Sequence, residues 1–395
     1  LKLQKNSILV IIVLCQFLGT SLWFAGNGVM AHLIDSFSLN LAAVGHLTSA
    51  VQFGFISGTL VFALLTLADR YSPSKVFFVS ACLGAAFNLG VIHSQNTFFT
   101  LFFFRFATGF FLAGIYPVGM KIAADYFKEG LGKSLGFLVG ALVVGTALPH
   151  LLNSLMTDLP WRAVIIVTSV LSVTGGLFIY ILVPDGPHRT PGKKPDFSAW
   201  FRVFKDRDFR SAAFGYFGHM WELYAFWAFV PLMIAGYFDT QGLAAGNISI
   251  LSFIIIGLGG VSCAVGGILS GKLGTKRTAF VALFSSCCCC LLYPLFFSQT
   301  SGALFIAFLI FWGLVVIADS PLFSTLVAHN APGEIKGTAL TIVNCIGFSI
   351  TIVSIQTVTW LLPLVNPAYL YMILALGPIA GLYALRFRET FSVSG

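Results

Sequence analysis

Charge is what this chain has least of. Only 9% of its 395 residues are Asp, Glu, Lys or Arg, where a soluble domain carries about a quarter. That scarcity excludes an ordinary water-soluble fold, which would have no means of covering so much apolar surface. The excess of 22 basic over 14 acidic residues is no nucleic-acid signature, because the basic residues sit in short turns between apolar runs. A Gly-rich phosphate loop ending in Lys-Ser/Thr is absent, and so are HExxH and GxSxG, which argues against a nucleotide-driven pump and against the common hydrolases. Eight cysteines are present, but Cys15, Cys82, Cys263, Cys287 to Cys290 and Cys345 all fall within apolar runs, so no disulfide framework is implied. In the run "CCCC" successive helical residues point in four directions and only Cys287 and Cys290 share a face. Small apolar packing is their expected role; neither a metal nor a cofactor is expected.

What is present is hydrocarbon. Hydrophobic residues make up 57% of the chain, 41 of them Phe, and the mean hydropathy is +0.93. A membrane-spanning helix needs about 20 apolar residues, and runs of that order recur at 7–34, 42–67, 76–93, 98–122, 134–152, 163–183, 211–237, 247–270, 278–297, 302–328, 338–361 and 368–385. These are segments 1 to 12 below. They are continuously apolar rather than alternating, which indicates helices and not a barrel. The first run is too long for a signal-peptide core and lacks a small-residue cleavage site. An all-α, multi-pass protein of the plasma (bacterial inner) membrane follows, in contact with lipid and expected to be a monomer.

Basic residues set the orientation. With both termini inside, every Lys and Arg except Arg105 and Arg162 falls in an inner segment. The longest polar stretch, 184–210, separates six runs from six and reads as a solvated linker, with "FSAWFRVF" as a short interfacial helix. The expected organisation is therefore a bundle over 1–183, a cytoplasmic linker over 184–210 and a second bundle over 211–395. The two bundles are copies of one plan. A shift of 202 residues lays Arg70 on Lys272, Ser72 on Gly274 and Lys75 on Arg277, and a shift of 204 lays Pro117 on Pro321. A near-constant offset with matching topology marks an internal duplication.

With these features on the page the chain resembles the major facilitator superfamily along nearly its whole length. The family's loop between helices 2 and 3 reads Gly-x-x-x-Asp-Arg/Lys-x-Gly-x-Arg/Lys-Arg/Lys. Asp69, Arg70 and Lys75 fit it, with Leu65 and Ser72 in place of the glycines; in the second half Gly267, Lys272, Gly274, Lys276 and Arg277 fit, with Gly271 in place of the acid. In segment 4, Arg105, Gly109 and Ala113 follow the family's helix-4 signature. The resemblance implies two pseudo-symmetric six-helix bundles and a secondary active transporter that moves a small organic solute, amphipathic or anionic, by alternating access, with protons as the coupling ion. An exporter by proton antiport and a passive facilitator are the alternatives, and a receptor on a transporter scaffold is the weaker one, the tail "RFRETFSVSG" being short. The exporters' Gly-Pro-x-x-Gly-Gly motif is not matched, since Pro149 and His150 stand where its Gly-Pro would be; the steps Gly136, Gly140 and Gly145 also fit simple close packing. Segments 2 and 8 lack the arginines of nitrate carriers.

The resemblance further implies an inner latch. Asp69 would meet the start of segment 11 near Gly337 and Thr338, Arg70 and Lys75 would pair with Asp125 or Glu129, and Lys272 or Arg277 with Glu334. The plain alternative is that these charges only anchor topology. In this family helices 1, 4, 7 and 10 surround the cavity, and polar residues recur there at helical spacing: Gln16, Thr20, Trp23 and Asn27; Arg105, Thr108 and Tyr116; His219 and Glu222 among Trp221, Tyr224 and Trp227; then Trp312 and Asp319. Arg105, Glu222 and Asp319 are charges inside hydrocarbon runs, each costing about 2.5–3.5 kcal/mol at the centre of an isolated helix. They are expected to open onto one watery chamber shared by the two bundles. Glu222 is the first candidate for a proton site, Asp319 the second, and His219 an orienting partner. Two roles fit Arg105: holding a substrate carboxylate bidentately, or neutralising an internal acid.

Overall fold

The computed structural model describes residues 5–127, 131–189, 203–244, 246–332 and 336–386. Helices occupy all twelve apolar runs, and ten of them are long and apolar enough to cross a membrane. The two shorter ones are instructive. Segment 1 is interrupted, with helices Lys5–Thr20, Ala25–Gly28 and Met30–Ser36. Segment 3 is a single helix of 18 residues, Pro73–Gly90, started by a proline whose missing N–H costs nothing at a first turn. Segment ends carry their own stop and start chemistry. Thr97 and Thr100 form a reciprocal capping box at the start of segment 4, and Asn247 and Ser301 cap segments 8 and 10 by accepting from Ile250 and Leu304.

Segments 4 and 10 break at corresponding places. Phe98–Leu112 gives way to Tyr116–Tyr126, and Gly302–Ala318 to Ser320–Asn330, with Pro117 and Pro321 in the first turn of the second piece. Proline lacks a donor and clashes with the carbonyl four residues earlier, so each helix restarts instead of continuing. The repeat seen at these prolines in the sequence thus has a structural counterpart.

Segments 1–6 pack on one another, and so do segments 7–12. Two main seams join the sets, segment 2 (Ala43–Leu64) on segment 11 (Lys336–Leu361) and segment 5 (Leu131–Leu155) on segment 8 (Ile248–Gly257, Gly259–Leu273). A twofold relation that exchanges 2 with 8 and 5 with 11 maps one seam onto the other.

Lipid tails supply no hydrophobic force between helices, so association depends on close approach. Gly54 and Gly58, four residues apart on segment 2, lie against segment 4; a Cβ at Gly54 would fall 1.9 Å from the Phe106 carbonyl oxygen. Gly109 answers from segment 4, where a Cβ would fall 2.1 Å from the Val51 oxygen. On the 5–8 seam Gly140 and Gly260 face each other backbone to backbone, while Gly145 takes Thr20 of segment 1. The glycine steps of segment 5 therefore serve close packing on two neighbours. The interfacial helix expected at 197–204 lies almost wholly outside the described residues. Gly54→Val is expected to part segments 2 and 4 and cost about 1–3 kcal/mol, read as a lowered thermal midpoint in detergent. Gly236→Val, at a position with open space around it, is the control and is expected to lower the midpoint far less.

Candidate functional site

The interruption in segment 1 places Leu22 and Trp23 outside regular helix in the middle of the protein. Arg105 of segment 4 repairs it. Its guanidinium donates from Nη1 to the Leu22 oxygen at 3.3 Å and from Nη2 to the Trp23 oxygen, and Nη1 also reaches Asn88 Oδ1 at 3.1 Å. Gly26 lets it lie close, since a Cβ there would meet Nε at 3.1 Å. Asn88 in turn donates to Ser169 Oγ at 3.0 Å, which carries the network to segment 6. Arginine suits this task because one planar fork serves several carbonyls while keeping its charge. Arg105 is 1% exposed and pairs with no acid among the described residues; its donors go to backbone and Asn88 and not to either expected partner.

The two buried acids are likewise separate. Glu222 accepts from Trp312 Nε1 at 2.6 Å, Ser286 Oγ at 2.9 Å and Cys290 Sγ at 3.4 Å. All three donors are neutral and come from segments 9 and 10. Asp319 lies at the break in segment 10, with Oδ1 2.8 Å from His219 Nδ1 of segment 7. That contact lacks hydrogen-bond alignment, and both Asp319 oxygens and His219 Nε2 are without a hydrogen-bond partner. Glu222, Asp319 and His219 are each 1% exposed. The expected common chamber for Arg105, Glu222 and Asp319 is therefore not seen in this arrangement: one is spent on backbone, one on neutral donors and one on histidine.

What occupies the centre is aromatic. Trp23 stacks on Tyr224 at 5.8 Å and on Phe348 at 5.9 Å, and meets Phe55 at 4.8 Å and Tyr116 edge-on at 6.4 Å. Trp227 closes the group against Tyr224 at 5.2 Å and Phe24 at 6.3 Å. Residues from both halves of the chain thus meet in one layer. Several deeply buried polar atoms have no hydrogen-bond partner: both amide atoms of Gln16 and Gln52, the indole N–H of Trp23 and Trp227, Thr146 Oγ1 and His150 Nε2. An unpaired buried polar group costs about 1–3 kcal/mol by protein mutation data. These atoms lie on segments 1, 2, 5 and 7, and groups of this kind are ones that a bound ligand or water satisfies.

Other expected lining residues have local employment. Thr20 and Thr108 donate to the Gln16 and Phe104 oxygens of their own helices, and Asn27 donates to Thr48 Oγ1 at 2.7 Å. Trp221 is a correction: its Nε1 donates to the Ile373 oxygen and its side chain lies over Gly377, so it faces segment 12. Gln52, Phe55, Thr146 and Phe348 belong to segments 2, 5 and 11, outside the four helices that the resemblance singles out. A signal existed in segment 5, where Thr146 and His150 lie four apart, on the side away from the exposed stripe that holds Phe137 and Leu155.

The Major Facilitator Superfamily model matches residues 12–355. The chain belongs to that family of multi-pass membrane transporters. It is similar to an uncharacterized transporter of Schizosaccharomyces pombe, 28% identical over 188 residues, which is 43% of this chain and 34% of that one. The chain thus spans about a third of that relative's length. Among solved structures it resembles the proton:xylose symporter XylE bound to 6-bromo-6-deoxy-D-glucose, with a TM-score of 0.77 at 14% identity over 97% of this chain and 95% of that one. It also resembles a bacterial homolog of the human lysosomal transporter Spinster, in an inward-facing and unoccupied conformation, with a TM-score of 0.68 at 16% identity over 98% and 95% of the two chains. At such identities these likenesses speak for the fold alone.

The family's signature loop is arranged differently from the expected latch. Asp69 pairs with Lys121 of segment 4 at 2.8 Å, and Lys121 also lies 3.7 Å from Asp125, one turn on. Arg189, paired with Asp185, donates to the Tyr71 oxygen at 2.8 Å and the Asp69 oxygen at 3.0 Å. Lys121 takes the place expected of Arg70 and Lys75 because it rises from the same helix face as Asp125. Arg70, Lys75, Lys272 and Arg277 are exposed and make no ion pair among the described residues. Glu129 and Glu334 lie outside the described residues. The side-chain bonds that do join the halves lie on the seams: Gln356 donates to Ser49 Oγ at 2.8 Å and the Gly45 oxygen at 3.2 Å, Asn153 to Ser249 Oγ at 2.9 Å, and Asn247 to Ser154 Oγ at 2.8 Å.

Arg105→Lys keeps a cation but loses the fork, and Arg105→Ala leaves buried carbonyls and Asn88 without their donor. A lowered thermal midpoint is expected in the order wild type, Lys, Ala, with about 1–3 kcal/mol lost for each buried acceptor left without its donor in the last. Equal midpoints for wild type and Arg105→Ala would contradict the bracing role.

Proposed function

We propose that the chain is a secondary active transporter that moves a small amphipathic organic solute across the plasma (bacterial inner) membrane by alternating access, coupled to protons. The observation that carries this reading is the aromatic layer of Trp23, Tyr224 and Phe348 where the two halves meet, together with buried amide, indole, hydroxyl and imidazole groups on segments 1, 2, 5 and 7 that have no hydrogen-bond partner. Such a combination suits a solute with an apolar face and uncharged hydrogen-bonding edges. An anionic solute has less support, because the cation proposed for it, Arg105, is spent on carbonyls.

In this reading twelve segments cross the bilayer, both termini lie inside, and 1–183 and 211–395 are the two moving bundles tied by 184–210. The seam bonds at Gln356, Asn153 and Asn247 then fall at the outer ends, while the charged turns at Lys272 and Arg277 face the inside without partners across the halves. The arrangement is closed outside. Alternating access breaks the seam bonds and parts the aromatic layer.

The His219–Asp319 contact is the proposed proton site. A carboxylate with both oxygens short of aligned donors, beside an imidazole, changes its partner when segments 7 and 10 shift, and its proton affinity changes with it. Glu222 has three donors already, which makes it the second candidate. The solute is to be found by a thermal-shift screen of the purified protein at two pH values, since a state-selective ligand raises the midpoint. In proteoliposomes supplied with that solute, Asp319→Asn is expected to abolish accumulation driven by a proton gradient while sparing solute exchange. Accumulation that survives in both Asp319→Asn and Glu222→Gln would remove proton coupling from these acids, and a wild type that only equilibrates its solute would be a facilitator.

A further inference from the structure

Away from the central layer, a cavity of about 430 Å³ lies on the 2–11 seam, lined by His46, Ser49, Phe53, Phe98, Phe102, Ile352 and Gln356. Its shape follows from the helices. Segments 2 and 4 are pressed together at Gly54, Gly58 and Gly109, and the cavity lies towards Phe98, the first residue of segment 4. Segment 11 stands on the other side of segment 2. The floor is His46, Ser49 and Phe53, at intervals of three and four and so on one face of segment 2. One wall is Phe98 and Phe102; the other is Ile352 and Gln356.

Two features say what fits. The groove faces outward, since Phe53 is half exposed and Phe99 and Phe103 beside it are among the most exposed aromatics of the chain. In a multi-pass membrane protein that surface meets lipid. Polarity is also graded along it. His46, Ser49 and Gln356 lie near the ends of their segments, with Phe98 edge-on to His46 at 5.9 Å, whereas Phe53 and Ile352 lie deeper, about 10 Å along segment 2 from His46 at a rise of about 1.5 Å per residue. A leaflet's hydrocarbon is about 15 Å deep, half of a bilayer core of about 30 Å. An amphiphile with its head at the interface and its tail in the leaflet matches both the gradient and the length.

We propose that this groove seats one acyl chain of a bilayer phospholipid, its head region beside His46 and Gln356. Because the walls come from both halves and Gln356 also bonds Ser49 and Gly45 across the seam, the groove exists only while the seam is shut. The lipid is therefore a ligand of the closed-seam arrangement and stabilises it. This inference does not depend on which solute is carried or on whether protons drive it.

The test is native mass spectrometry of the full chain, reconstituted in vesicles of phosphatidylethanolamine and phosphatidylglycerol and released at rising detergent. The wild type is expected to keep one phospholipid after annular lipid is stripped. Ile352→Trp, which fills the groove, is expected to reduce that retention at least about tenfold, as a blocked site does. Val353→Trp, at the neighbouring lipid-facing position, is expected to keep it. Added phospholipid is expected to raise the thermal midpoint of the wild type more than that of Ile352→Trp. If Ile352→Trp fails to fold, Phe98→Ala, which removes a wall, carries the same comparison. A wild type with no retained lipid, equal retention in the groove and control variants, or retention of a single-chain solute instead of a phospholipid would each overturn the proposal.

Discussion

Hydrocarbon forms no hydrogen bonds, so every interruption of a helix inside a bilayer has to be repaired from within the protein. That constraint organises this structure. Segment 1 is broken in its middle, and the carbonyls of Leu22 and Trp23 are met by the guanidinium of Arg105. The bracing continues through Asn88 to segment 6, so one side chain ties segments 1, 3, 4 and 6 together. Trp23, the hub of the central aromatic layer, is held in place by its own main-chain oxygen. Arg105, for which a solute carboxylate and an internal acid were the two expected partners, instead braces the backbone beside Trp23.

Close backbone approach does the rest of the assembly. Segments 2 and 4 touch through Gly54, Gly58 and Gly109, and segments 5 and 8 through Gly140 and Gly260. Neither pair gains from a hydrophobic effect in lipid, so dispersion at short range and a few polar bonds must suffice. The seams between the halves pack about as extensively as helix pairs within a half, and among the described residues their side-chain hydrogen bonds come from Gln356, Asn153 and Asn247.

Three buried charges have three different solutions. Arg105 meets backbone, Glu222 meets neutral donors on segments 9 and 10, and Asp319 meets His219. The last is the least satisfied, with no aligned donor at either oxygen. Keeping the acids apart from Arg105 leaves the centre without an unspent cation and gives it over to ring faces and uncharged polar edges.

By itself the sequence determined the helical character, the placing of twelve apolar segments and the repeat, because hydropathy over about 20 residues and the position of a proline are local properties. Helical spacing also set Gln16 with Trp23, Tyr224 with Trp227 and His219 with Glu222 on shared faces, whereas the contact of His219 with Asp319 joins two helices and was not legible in it. Only the tertiary structure decided which face met what. Trp221 turned to segment 12, Lys121 met Asp69 and also Asp125, which had been foreseen for Arg70 or Lys75, and Gln52, Thr146 and Phe348 are buried on segments outside the four that the resemblance singled out. A one-dimensional pattern tells which residues point the same way along one helix. The neighbour they point at depends on how twelve helices are arranged, and in lipid that arrangement is chosen by close contacts between residues far apart in the chain.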